Sequence, residues 1–141
     1  MPALGNSAAL DERAIRILVA DDHPLIRKEV RTVLEGHRGF DVCAEVSDGA
    51  EAIEQAIRLK PDVVVLNITM PILSGLEAAR EIRVKLPESA IVILSSHADR
   101  VFIEEAKRVG AHAYVAKTKI GEALIKAIAD AVASGDFVLV T

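Results

Sequence analysis

The sequence is poor in aromatic residues and in cysteine. Among its 141 residues there is no tryptophan, one tyrosine and one cysteine. The single cysteine, Cys43, excludes an internal disulfide and is typical of a reducing compartment, so we expect a cytoplasmic protein. No apolar run approaches the ~20 residues that a membrane-spanning helix needs, so we expect no association with membranes.

Positive charge is also scarce. The chain has 17 Lys and Arg against 21 Asp and Glu, and its basic residues form no stripe, which argues against direct nucleic-acid binding. What the chain does have is apolar residues, at 51%, enough for one domain with a real core. Residues 1–14 read as a flexible N-terminal tail, residues 15–135 as the folded domain, and residues 136–141 as a C-terminal extension or the start of a linker.

The apolar pattern divides the chain into five strand–helix units. Strands are predicted over 15–20, 40–46, 63–67, 91–94 and 113–116, each followed by a stretch with helical spacing. Strands that alternate with helices indicate right-handed crossovers and a parallel sheet covered on both faces. We therefore predict an α/β, flavodoxin-like doubly wound (βα)5 fold whose five strands have the order 2-1-3-4-5. Residues 136–141 are apolar and extended, but the pattern does not place them.

The third strand organises the rest of the chain. Four apolar residues, three of them β-branched, end at Asn67, and a loop with Pro71 and Gly75 follows. Ser74, with Glu77 three residues later, predicts a capping box that opens the next helix. The carboxyl edge of such a sheet is where ligands bind, so Asn67 should lie at the functional site.

Strand order 2-1-3-4-5 places the topological switch between strands one and three. Asp21 and Asp22 would face Asn67 there, with Ser95 and Lys117 ending the next two strands. Adjacent carboxylates repel unless a cation neutralises them, and an oxygen-rich site of this kind suits Mg²⁺. The alternative is that the aspartates only cap the following helix. Two aspartates that face a third polar strand end favour the metal.

These residues resemble the receiver domain of two-component response regulators, over about residues 15–134. Asp21-Asp22 is similar to the metal-binding acidic pair that follows the first strand of that family. Met70-Pro71 and Gly75 are similar to the loop after its third strand. The resemblance implies a phosphorelay signalling switch that is not an enzyme and that binds Mg²⁺ at this pair.

The later strands carry the rest of the resemblance. Ser95 falls on the hydroxyl position that gates phosphoryl access, although Ser96 fits the pattern equally well. Residues 110–117 are similar to the family's fifth strand, with Tyr114 as the switch aromatic and Lys117 as its lysine. The backbone of Thr69 is implied as a further metal ligand.

Partners follow from the same resemblance. Asp-Asp-His-Pro after the first strand, and the absence of proline after Lys117, are similar to the subfamily that carries a helix-turn-helix effector. A sensor histidine kinase or phosphotransfer protein, and an effector domain or homodimer partner, are the implied partners. We expect signalling to use the face of the fourth helix, fifth strand and fifth helix. Tyr114 lies there, and Phe102 and Ile103 cannot both fit one buried stripe.

The departure from the family pattern is at its phosphate-accepting aspartate, which is Asn67 here. A neutral amide is a poor nucleophile and offers metal only an uncharged oxygen, so the chain should not be phosphorylated and should bind Mg²⁺ more weakly. Asn67 is either natural, in a pseudo-receiver that acts through protein contacts, or engineered to trap the unphosphorylated form.

Other parallel α/β classes fit less well. A flavodoxin-type cofactor binder needs a Ser/Thr/Gly-rich phosphate loop after strand one, where this chain has two aspartates. A haloacid-dehalogenase-type phosphatase needs Asp-x-Asp, and His23 breaks that pattern. A cobalamin-binding domain needs a glycine at Ile26.

Overall fold

The computed structural model describes residues 14–97 and 99–141. The predicted N-terminal tail, except for Ala14, lies outside the described residues. Six parallel strands form one sheet in the order β2-β1-β3-β4-β5-β6. The strands are β1 (Ile15–Ala20), β2 (Phe40–Val46), β3 (Val63–Asn67), β4 (Ala90–Ser95), β5 (Ala113–Ala116) and β6 (Val138–Val140). The helices are α1 (Pro24–Glu35), α2 (Gly49–Leu59), α3 (Gly75–Lys85), α4 (Arg100–Arg108) and α5 (Glu122–Ala133).

Helices cover both faces of the sheet. Every residue of β3 and of β4 is buried, as the continuous apolar runs of these strands require. One core cluster lies under α2, α3 and α4, and the other lies under α1 and α5. None of the helices in the described part of the chain has the length and apolar character that crossing a membrane requires.

The predicted order of the first five strands, 2-1-3-4-5, is confirmed. The sheet also has a sixth strand, which the sequence pattern did not place. Val138–Val140 returns after α5 and pairs in parallel with β5, so that β5 is an internal strand. Part of the segment expected to be an extension or linker is therefore hydrogen-bonded into the sheet.

The helix starts agree with the sequence signals in most places. Ser74 and Glu77 form the predicted capping box at α3. Asp99 stands at the N-cap of α4, but its side chain makes no cap hydrogen bond there. The last helix begins at Glu122 rather than near Ile120, because Ile120 is extended and Gly121, at the N-cap, has a φ of 115°, which is not helical.

Polar side chains form hydrogen bonds with the backbone along the amino edge of the sheet. The Asp62 carboxylate accepts the backbone N–H of Arg16 at 2.8 Å, and the Arg16 guanidinium donates to the carbonyl of Leu59 at 2.7 Å. Buried Ser89 donates its hydroxyl to the carbonyl of Pro61 at 2.6 Å. These bonds satisfy backbone groups where strands begin, at the edge opposite the predicted site.

Candidate functional site

Polar side chains converge at the carboxyl edge of the sheet. Asp21 directly follows β1, Asn67 ends β3, Ser95 ends β4, and Lys117 directly follows β5. Asp21, Asn67 and Ser95 are buried, with at most 5% of their surface exposed. Because the strands are parallel, their carboxyl ends lie at one edge, which is how distant residues of the sequence become neighbours.

Two glycines allow the β3–α3 loop to fold tightly against the site. A Cβ on Gly75 would lie 1.9 Å from the backbone oxygen of Asn67, and a Cβ on Gly49 would lie 2.1 Å from the backbone oxygen of Leu73. The N–H of Gly75 donates to the carbonyl of Ile68 at 2.7 Å. The end of β3 is therefore fixed by a contact that only glycine permits.

The side-chain amide of Asn67 is the centre of the site. Its Nδ2 donates to the carbonyl oxygen of Thr69 at 2.7 Å and to Oδ1 of Asp22 at 3.2 Å. Oδ1 of Asp21 lies at 3.5 Å from the same nitrogen. Two N–H groups thus serve three oxygens, two of which belong to carboxylates. The amide nitrogen lies where these three oxygens converge.

Three basic side chains, those of Lys117, His23 and Arg27, lie around the two aspartates. The Lys117 ammonium lies 3.3 Å from Oδ2 of Asp21, an ion pair in which both side chains are largely shielded from solvent. Nδ1 of His23 lies 3.3 Å from Oδ1 of Asp21 and 3.2 Å from Oδ1 of Asp22. Arg27 donates to the backbone carbonyl of Asp21 at 2.7 Å.

His23 and Arg27 were not predicted as site residues. The imidazole of His23 lies beside both carboxylates. Its position next to the acidic pair was the signal that could have identified it. Arg27 lies one helical turn beyond Pro24, the first residue of α1, and a turn of that length brings its guanidinium back to the end of β1.

The oxygen set fits a hard divalent cation. Asp21, Asp22 and the Thr69 carbonyl supply the carboxylate and carbonyl ligands that Mg²⁺ prefers. Asp21, Asp22 and His23 also each offer a ligand atom within 4.8 Å of the others. Among the described residues, no donor makes a hydrogen bond of good geometry to the buried Oδ2 of Asp21, which has Lys117 only as an ion-pair partner.

The remaining predicted residues form a second group beside the first. The Ser95 hydroxyl accepts the backbone N–H of His97 at 2.9 Å, and the hydroxyl of buried Tyr114 donates to the His97 carbonyl at 2.7 Å. Burial raises the pKa of Tyr114 above its usual value, an effect that its contact with Ser95 opposes. The hydrogen bonds of the described residues do not join Ser95 to the Asn67 amide. His97 is thus the link between Ser95 and Tyr114.

Phe102 is placed beside this second group rather than fully at the surface. Its ring stacks on the His97 ring with centroids 4.9 Å apart, and both Phe102 and Ile103 are partly buried against the core. The strongly exposed apolar residue of α4 is Val101, at 70% exposure. Val101 is therefore more exposed than its neighbour Phe102, and the role of Phe102 in contacts stays a prediction.

Comparison with known proteins gives one consistent match. The family model described as the response regulator receiver domain matches residues 17–129. An uncharacterized transcriptional regulatory protein of Bacillus subtilis, YxjL, is 38% identical over 119 residues, which is 84% of this chain and 55% of that protein.

Two solved structures agree with that match. A two-component response regulator of the LuxR family from Aurantimonas sp. is 34% identical, with a TM-score of 0.83 and 89% of both chains covered. The receiver domain of the response regulator NarL from Mycobacterium tuberculosis is 30% identical, with a TM-score of 0.82 over 86% of this chain and 98% of that one. The chain spans about half the length of the curated relatives that it matches, between 50% and 56% for the first three.

Proposed function

This chain belongs to the family of response regulator receiver domains, and on that premise we propose that it is a receiver that is not phosphorylated at residue 67. It is a signalling module of a two-component system and not an enzyme. In it, Asn67 stands at the position of the phosphate-accepting aspartate. Signals would then pass through protein contacts that do not require an acyl phosphate.

The observation that supports this proposal is the hydrogen bonding of the Asn67 amide. Its nitrogen faces Asp21, Asp22 and the Thr69 carbonyl, so the side chain presents a donor where an attacking carboxylate oxygen would be needed. An amide nitrogen has its lone pair delocalised into the carbonyl, and an amide oxygen carries no full charge. Neither atom is an activated nucleophile of the kind that forms a covalent phosphoryl intermediate.

The proposal is tested by incubation with acetyl phosphate and Mg²⁺, followed by intact-protein mass spectrometry. The unmodified chain should gain no phosphate mass, whereas Asn67→Asp should gain one labile phosphate. Asn67→Ala is the matched control, because it removes the amide without supplying a carboxylate, and it should also gain none. A phosphate adduct on the unmodified chain, mapped to Asn67 or a neighbouring residue, would overturn the proposal.

Magnesium has a reduced role in this proposal. Asp21, Asp22 and the Thr69 carbonyl would hold the ion, which supplies charge neutralisation for bound phosphoryl oxygens. The Asn67 amide opposes ion binding, because its nitrogen already donates to the same oxygens and would have to turn away. Replacing a charged ligand by a neutral one weakens the site further. We therefore propose weak binding of Mg²⁺.

The proposed partners are proteins of the same signalling route. A histidine kinase or a phosphotransfer protein would contact the carboxyl edge of the sheet, where the acidic pair lies. An effector domain or a second copy would use the face formed by α4, β5 and α5, with Tyr114 as a rotamer switch. Relatives described as transcriptional regulatory proteins are longer than this chain, which matches only 50–56% of their length, and this supports an effector in them. A reducing, cytoplasmic setting agrees with the free thiol of Cys43.

A further inference from the structure

The sixth strand lies on the edge of the strand that carries the only tyrosine of the sequence. Val138, Leu139 and Val140 pair with Ala113, Tyr114 and Val115 respectively. The pairing begins where the N–H of Val138 donates to the carbonyl of His112 at 2.9 Å. Without β6, the outer edge of β5 would carry unpaired backbone groups, which an edge strand exposes to any other strand.

Side chains of residues 137–140 cover the outer edge of β5 on both faces of the sheet. Phe137 packs against the core cluster that contains Tyr114, and the Lys107 ammonium lies 5.3 Å from the centroid of its ring. Val138 and Val140 pack against the other cluster, under α5. Leu139, which pairs with Tyr114, lies on the same face of the sheet as Phe137, because side chains alternate along a strand.

Tyr114 is therefore held at both ends. Its hydroxyl donates to the carbonyl of His97 after β4, and its backbone lies in a strand that β6 covers. The side chain is fully buried, although a five-stranded sheet would leave its strand at the edge. The buried Tyr114 and the docked strand β6 are therefore direct neighbours in the sheet.

We propose that the segment Asp136–Val140 is a latch that occupies the β5 edge and holds Tyr114 in its buried position. Release of β6 opens the side of the core that Phe137 closes, and it frees the tyrosine to leave its bond with His97. The occupant of this edge is the chain's own C-terminal strand. The latch rests on the strand pairing and side-chain packing of this segment, and it does not depend on whether residue 67 accepts phosphate.

Tyrosine fluorescence can test this proposal, because the chain has a single tyrosine. With one tyrosine and no tryptophan, intrinsic fluorescence of the folded protein reports on Tyr114. Acrylamide quenching of that emission should be weak in the unmodified chain. In Val138→Pro, which removes the N–H that donates to His112, quenching should rise toward that of the chain unfolded in urea. Val138→Ala is the matched control, because it shortens the same side chain on the α5 face but keeps the N–H, and its quenching should stay weak.

A second variant keeps the test decisive if the proline variant does not fold. Phe137→Ala leaves every backbone hydrogen bond in place and removes only the side chain that closes the Tyr114 side of the edge. Circular dichroism and a cooperative melt establish that each variant is folded. Higher quenching in Phe137→Ala, with the spectrum unchanged, supports the latch. Folded Val138→Pro or folded Phe137→Ala with the quenching of the unmodified chain would refute it.

Discussion

Asn67→Asp should destabilise the protein when no divalent cation is present. The substitution removes an amide nitrogen that donates to Thr69 and Asp22, and it puts a carboxylate oxygen in its place. That oxygen would face Oδ1 of Asp22 and Oδ1 of Asp21, which lie 3.2 and 3.5 Å from the present nitrogen. An attractive contact becomes a repulsive one while the shape of the side chain hardly changes.

The size of the effect follows from these distances. Two unit charges ~4 Å apart interact by about 4 kcal/mol at an effective dielectric constant near 20. Lys117 opposes the repulsion, and protonation of one carboxylate or a small outward movement limits it further. We expect a net loss of about 2–4 kcal/mol in the free energy of unfolding, or roughly 5–12 °C in Tm for a domain of this size.

The assay is a set of thermal melts in chelator and in millimolar Mg²⁺. Asn67→Asp should melt lowest in chelator and recover most of the loss with Mg²⁺, since a ligand at about 100 times its Kd stabilises the folded state by about 2.7 kcal/mol. The unmodified chain should shift much less. Asn67→Ala separates the lost hydrogen bonds from the added charge. Equal stability in chelator and equal shifts with Mg²⁺ in the unmodified chain and Asn67→Asp would refute the shared pocket.

Two further outcomes are expected elsewhere in the fold. The backbone N–H of Ile91 donates to Nδ1 of His112 at 3.0 Å, and burial, then the charge of Arg83, lowers the pKa of His112. The unfolded chain therefore binds a proton at His112 more readily than the folded chain does. Urea melts should show that the free energy of unfolding falls as the pH drops below about 6.5, and that it falls less in His112→Gln. Ile72 is 80% exposed at a φ of 68°, so Ile72→Asn should raise stability by about 1 kcal/mol, whereas Ile72→Val should give no gain. A pH profile that His112→Gln leaves unchanged, or an Ile72→Val gain equal to that of Asn, would contradict these arguments.

The strand order and the contact between Asp21, Asp22 and Asn67 could be predicted because both follow from parallel topology. Apolar runs that end in polar residues mark the carboxyl edge of the sheet, and strand order 2-1-3-4-5 brings the ends of β1 and β3 together. The identity of residue 67 is visible directly in the sequence. Its orientation is not, since it depends on which atoms surround the amide.

Three features could not be predicted because they depend on tertiary packing. Strand β6 has three residues, too few for a periodic pattern to distinguish a strand from an extended linker. Phe102 and Val101 are neighbours, and their exposure depends on how α4 rotates over the sheet. The side chain of His23 is 64% exposed, yet its ring reaches both carboxylates, a contact that depends on how the start of α1 is placed.

Arg16, Asp62 and Ser89 form hydrogen bonds at the amino edge of the sheet. Mutations at this edge should cause a different kind of defect from mutations at the carboxyl edge. Substitutions at the amino edge would leave the chemistry of the opposite edge intact and act through unfolding, so in cells they would appear as reduced abundance. Substitutions at Asp21, Asn67 or Lys117 would instead change the charge and hydrogen bonding of the proposed site itself. A mutational scan that records both abundance and output would therefore separate the two edges of one sheet.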